Sequence, residues 1–152
     1  MSRILLLALA ITASVTSAKE PTTISLGQVT PEGLSRGQAK QVLIAVLKHQ
    51  RYKLGKPGVF IDGDLTDENG NPPQPGYFDF SLGYDSPKAG ATEYWGLFSV
   101  SVSTGDVWET NTCKRFVFPM LQRLQKDIME RTRKTMADEK AQRRGLGCTE
   151  EN

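Results

Sequence analysis

"YFDFSLGY", Tyr77 to Tyr84, and "YWGLFSVSVSTGDVWET", Tyr94 to Thr110, decide the fold. In the first, Phe78, Phe80, Leu82 and Tyr84 alternate with Asp79 and Ser81; in the second, Phe98, Val100 and Val102 alternate with Ser99 and Ser101. Successive side chains of a strand point to opposite faces, so both runs predict strands with one apolar and one wet face, the mark of an antiparallel sheet. Thr104-Gly105 separates the second run from "DVWET" as a tight hairpin does. Upstream, "GVFIDGDL", from Gly58, opens with its own apolar run. Four strands taken in chain order make an antiparallel meander.

Helical periodicity flanks this region on both sides. In "LSRGQAKQVLIAVLKHQRYKLG", from Leu34, the residues Ala39, Val42, Leu43, Val46 and Leu47 recur on one face. Ser35 with Gln38 three residues later is a capping-box pattern, and Gly55 with Pro57 marks the stop. After the strands, "FPMLQRLQKDIMERTRKTMADEKAQRRG" predicts one helix over 119–144, with Pro119 in its first turn. Leu121, Leu124 and Ile128 form a short stripe; beyond Met129 the run is highly charged, with Asp127–Arg131, Glu130–Lys134 and Glu139–Arg143 at i,i+4 spacing. Its start is expected to dock and its end to project unless something restrains it. The expected fold is α+β: an N-terminal helix packed on a four-stranded antiparallel meander, followed by a C-terminal helix.

The first 18 residues, "MSRILLLALAITASVTSA", have an early Arg3, an apolar run from Ile4 to Ile11 and small residues before Lys19. That is the layout of a secretory signal peptide, and its apolar run is shorter than the ~20 residues of a membrane span. The expectation is an exported protein, periplasmic or secreted, with no stable membrane anchor after cleavage. Residues 19–33 read as an extended lead-in, 34–148 as one domain and 149–152 as a tail. Outside the cytoplasm two cysteines, Cys113 and Cys148, point to one disulfide. It would tie the far end of the chain back to the start of the last helical segment.

Charge is strongly segregated. Residues 59–112 carry nine acids against one base, Lys88, and 114–144 carry ten bases against four acids. The whole chain is close to neutral at +2. That leaves no basic excess to release counterions from a phosphate backbone, so nucleic acid is not an expected partner. The two halves either complement each other on folding or polarise a surface toward a charged protein.

Between the first two strands, "IDGDLTDENGNPPQPG" concentrates acids, Asn-Gly and three prolines. As an EF-hand loop starting at Asp62, it would place Asp67 where the turn glycine stands and Pro73 where the bidentate Glu stands. A looser carboxylate site on Asp62, Asp64 and Asp67 is the metal alternative. The prolines and Asn69-Gly70 describe a stiff connection, and such a loop can contact a partner at reduced ordering cost. Asp62, Asp64, Asp67, Glu68 and Asn69 are therefore candidate partner contacts.

Catalytic vocabulary is sparse. A single histidine, His49, lies on the first helix, no GxSxG elbow occurs, and the cysteines form no CxxC pair. One histidine leaves too few ligands for a structural zinc, and nothing calls for a cofactor. Paired carboxylates are the remaining enzyme alternative, but no spacing singles out a pair among Asp79, Asp85, Glu93, Asp106 and Glu109. Trp95 and Trp108, near opposite ends of the Thr104-Gly105 hairpin, are candidate interface anchors if exposed. Trp95 shares the parity of Leu97, Ser99 and Ser101, on the wet face unless a bulge at Gly96 re-aims it.

The order helix, loop, meander resembles the PepSY-type, cystatin-like family. Leu34, Ser35, Gln38 and Ala39 match its Leu-Ser/Thr-x-x-Gln-Ala helix opening, and Thr104, Gly105, Asp106 and Val107 match its hairpin turn. The resemblance spans residues 34–109 and implies a non-catalytic exported module that inhibits a peptidase or binds another protein. The function expected is an exported, non-enzymatic protein-binding module, an inhibitor or immunity protein of the cell envelope. The alternative is a small-molecule or calcium-binding protein using the acidic loop over 62–71.

Overall fold

The computed structural model describes residues 29–63, 66–88 and 90–148. Helix α1, Arg36–His49, begins at the expected cap. The Ser35 N–H donates to Gln38 Oε1 at 2.8 Å and the Gln38 N–H to Ser35 Oγ at 3.3 Å. The helix ends at His49, ahead of Gly55, because Arg51 adopts the left-handed conformation at φ 65° and turns the chain away.

Strands β1 (Val59–Asp62), β2 (Tyr77–Ser86), β3 (Ala91–Ser101), β4 (Val107–Glu109) and β5 (Lys114–Arg115) form one sheet in chain order. Every pairing is antiparallel. The meander therefore has five strands, one more than expected. The added β5 is only two residues long, too short for periodicity to reveal.

One face of the sheet carries the main core. Phe80, Leu82, Phe98, Val100 and Val107 meet Ala39, Val42, Leu43, Val46 and Leu47 of α1, all at most 1% exposed. Leu121 and Ile128 of helix α2, Pro119–Thr132, complete the cluster. A stripe of five side chains on α1 buried against a sheet supplies about 1.5–3 kcal/mol for each large aliphatic group, and this determines the packing. His49 lays its ring flat on Phe118, centroids 3.7 Å apart at 7°, as a core-edge residue.

The predicted single C-terminal helix is broken. Arg133 takes φ 56° and ends α2; Thr135 then caps a new helix, α3, Met136–Gln142, in a second capping box with Asp138. A 3-10 turn, Arg143–Leu146, follows. The break lets the charged end fold back onto the sheet instead of projecting. Cys113 and Cys148 are joined, Cα atoms 5.2 Å apart, which fastens that return.

Candidate functional site

The second face of the sheet is built from the polar members of the alternating runs. Register places its residues in cross-strand rows: Phe60, Gly83 and Tyr94; then Asp62, Ser81 and Leu97; then Asp79, Ser99, Trp108 and Arg115; then Tyr77 and Ser101. The chain covers only part of this face.

Over the last two rows lies the C-terminal return. Tyr77, Trp108 and Cys148 form a small second cluster, each at most 1% exposed, with Leu146 against it. Trp108 is therefore a core residue, and the exposure on which its candidacy as an interface anchor depended is absent. The cover that buries it comes from the C-terminal end of the chain. The Arg143 guanidinium stacks over its ring at 5.2 Å.

Two carboxylates lie wholly inside this cover. Glu139 accepts from Tyr77 Oη at 2.7 Å and from Thr104 Oγ1 at 3.0 Å. Burial raises its proton affinity; the Tyr77 hydroxyl opposes this and the charge of Asp106 adds to it. Asp106 accepts from Trp108 Nε1 at 3.0 Å and Gln125 Nε2 at 2.8 Å, and pairs with Arg115 Nε at 2.9 Å. Buried polar groups with this many partners hold elements in one arrangement, and here they join β2, the 101–106 turn, α2 and α3. Sequence reasoning missed Glu139, whose charged neighbours and spacing to Arg143 describe a solvated helix face equally well.

In the first two rows the outer side chains Tyr94, Leu97 and Asp62 are exposed, while Ser81 and Gly83 of the central strand are buried. Tyr94 is 67% and Leu97 38% exposed, and Phe60 meets the Tyr94 ring edge-on at 6.3 Å. Trp95 does not join them. Leu82 pairs with Gly96 and Gly83 with Tyr94, so Trp95 is the extra residue of a bulge. It turns to the core face and stacks on Tyr84 at 5.6 Å, half-buried at the core rim. Lys56 Nζ sits 3.6 Å from the centroid of the Tyr84 ring.

The acidic loop runs on from Asp62 at the end of β1. Asp62, Asp67, Glu68 and Asn69 are exposed; Asp64 lies outside the described residues. Asp67 Oδ1 accepts from the backbone N–H of Asn71 at 2.8 Å and of Asn69 at 2.9 Å. The Asn71 N–H is the main reason its carboxyl sits below the usual range. This carboxylate organises its own turn, as an Asx motif does. Among the described residues no three His, Cys, Asp or Glu side chains gather as a metal site.

A cleft of about 170 Å³ lies where the loop, the sheet and the C-terminal return meet. Asp79 is at its floor, 9% exposed, with Oδ1 accepting from Ser99 Oγ. Its Oδ2 is buried and has no hydrogen-bond partner. Burial raises the Asp79 proton affinity against the Ser99 hydroxyl, the Gln74 backbone N–H and the charge of Arg36. The wet-face parity of Asp79 was legible in the sequence; the cleft was not.

An acidic loop, an open aromatic patch and a polar cleft describe a surface made for contact more than for catalysis. The family model described as "T6SS, Immunity protein Tgi2PP" matches residues 33–140. The chain belongs to this immunity protein family. As an immunity protein it is a non-enzymatic protein-binding module. Among solved structures it is similar to a chain of "Structure of a type VI secretion system effector-immunity complex from Pseudomonas protegens". The match has 62% identity and a TM-score of 0.80, covering 84% of this chain and 100% of that one. No curated protein matches.

Membership in the immunity family overturns the PepSY-type, cystatin-like resemblance. Its matching residues perform local tasks. Ser35 and Gln38 cap a helix, and Thr104-Gly105 turns a hairpin, with Gly105 at φ 68°. Unrelated chains reach the same solutions to these tasks, so the motifs carry little family information.

Proposed function

We propose that this immunity protein acts in the periplasm by binding a type VI secretion effector, and that its acidic loop and open sheet rows form the contact. The single observation that carries the reading is the 62% identity to a chain from an effector–immunity complex. The signal-peptide pattern of Met1 to Ala18 supports the location, although those residues lie outside the described ones. Exposure of Tyr94 and Leu97, with Asp62 in the row of Leu97, and of Asp67 and Glu68 in the loop that follows Asp62 supports the surface. An apolar centre with a charged rim is the usual anatomy of a protein interface.

Two measurements test this. Calorimetry of the mature protein against the effector chain of the Pseudomonas protegens complex is expected to show a stoichiometric complex. Cells expressing that effector in the periplasm are expected to survive when the full-length chain is co-expressed and to die when residues 2–18 are deleted. Absence of a complex, or equal survival without the leader, contradicts the binding or the location respectively.

A further inference from the structure

The cleft over Asp79 is built, and one of its groups is unsatisfied. Its floor is the cross-strand pair Asp79 and Ser99. Pro73 and Gln74 of the loop wall one side, Leu97 and Thr110 line another, and Leu146 from the disulfide-fastened C-terminal return adds to the lining. Four separate chain segments thus converge on one carboxylate. Ser99 donates to Oδ1 and the Gln74 backbone N–H also bears on the carboxylate, while Oδ2 is buried with no donor in hydrogen-bonding geometry. Arg36 acts on Asp79 through its charge without bonding it: its guanidinium lies over the Phe78 ring at 4.9 Å, on the opposite parity of β2, and its Nη1 is likewise buried without a partner.

A buried acceptor left unpaired costs stability, and a carboxylate more so than a neutral group. The group that best repays this is a cation with an N–H donor, since charge-assisted bonds are short and strong. Size selects among cations. At about 170 Å³ the cleft is smaller than the ~300–1,000 Å³ of small-molecule pockets and suits the end of one side chain. Its apolar lining, Pro73, Leu97 and Leu146, suits the methylene stem that arginine and lysine carry behind their charge. Leu97 borders the cleft and also belongs to the open row of the second face.

We propose that the Asp79 cleft receives a guanidinium or ammonium group carried by a side chain of the effector. This rests on the immunity reading above and adds to it a specific anchoring site and the chemistry of the group that fills it.

The test uses the mature protein and the effector chain of the Pseudomonas protegens complex as probe. Asp79→Asn keeps the shape and the Ser99 bond but removes the charge. It is expected to weaken Kd at least tenfold while leaving the Tm unchanged or higher. Leu97→Lys places a cation on the same face, diagonal to Asp79, where it satisfies Oδ2 from within the chain. It is expected to raise the Tm, to weaken Kd by a similar factor, and to lose its Tm gain when combined with Asp79→Asn. Wild-type affinity in Asp79→Asn overturns the proposal. Should that variant fold poorly, wild-type affinity in Leu97→Lys overturns it equally. A wild-type protein that does not bind the effector contradicts the proposed binding of that effector, which is a different failure. Free arginine separates the two sources of the cation: stabilisation by micromolar arginine that depends on Asp79 would make this a small-molecule site and overturn the partner-borne group.

Discussion

Tyr77, the first residue of β2, donates a 2.7 Å hydrogen bond from its hydroxyl to Glu139 of α3, 62 residues away. Both side chains are at most 1% exposed. Burial beside Glu139 raises the tyrosine proton affinity far above its ordinary value. The phenol therefore stays a donor throughout the physiological pH range. This bond, with the disulfide, holds the C-terminal return on the second face of the sheet.

Removing the donor isolates its contribution. Tyr77→Phe leaves Glu139 buried with only the Thr104 and Ser101 hydroxyls beside it, and is expected to cost about 2 kcal/mol. Urea denaturation measures this. A Tyr77→Phe cost within error of zero would mean that water replaces the lost partner.

Asp79 predicts a pH dependence of definite sign. Burial raises its folded proton affinity above that of the unfolded chain, so the folded state binds the extra proton. Its contribution to stability is greatest below the unfolded carboxylate range and is lost as pH rises through the folded pKa. Asp79→Asn is expected to match the wild type near pH 3.5, where both states of Asp79 are largely protonated, and to exceed it by about 1 kcal/mol at pH 7. Thermal unfolding across pH 3.5 to 8 checks this; a variant less stable at pH 7 than at pH 3.5, relative to wild type, contradicts it.

The disulfide closes a loop with a sequence separation of 35. The chain-entropy relation puts its stabilisation at roughly 3–4 kcal/mol. Cys148 also packs on Trp108. Reduction, or a Cys113→Ser/Cys148→Ser variant, is expected to lower the Tm and to red-shift tryptophan emission as the return loosens. An unshifted emission with a lower Tm would show that Tyr77 and Glu139 alone keep Trp108 covered.

Two glycines should respond in opposite directions to alanine. Gly105 sits at φ 68°, and a methyl group there would collide with Ile128 of α2. Gly105→Ala is expected to cost about 1–3 kcal/mol. Gly37 lies in the first turns of α1 with open space around it. Gly37→Ala is expected to stabilise by about 0.5–1 kcal/mol through helix propensity. Paired denaturation curves read both.

Local periodicity alone determined α1, its Ser35–Gln38 cap and its five-residue stripe. It also determined the alternating faces of β2 and β3, because a helix or strand repeat is set by backbone geometry and needs no distant partner. The two-cysteine composition pointed to the bridge that joins Cys113 and Cys148. Tertiary structure decided what local pattern cannot carry. The face of Trp95 depends on one unpaired residue in the β3 ladder. The break at Arg133, which lets the C-terminal return cover Trp108, wins because burying Tyr77, Trp108 and a satisfied Glu139 outweighs one continuous charged helix. The Asp79 cleft exists only because residues near 74, 97, 110 and 146 meet in space, and no sequence spacing encodes that meeting.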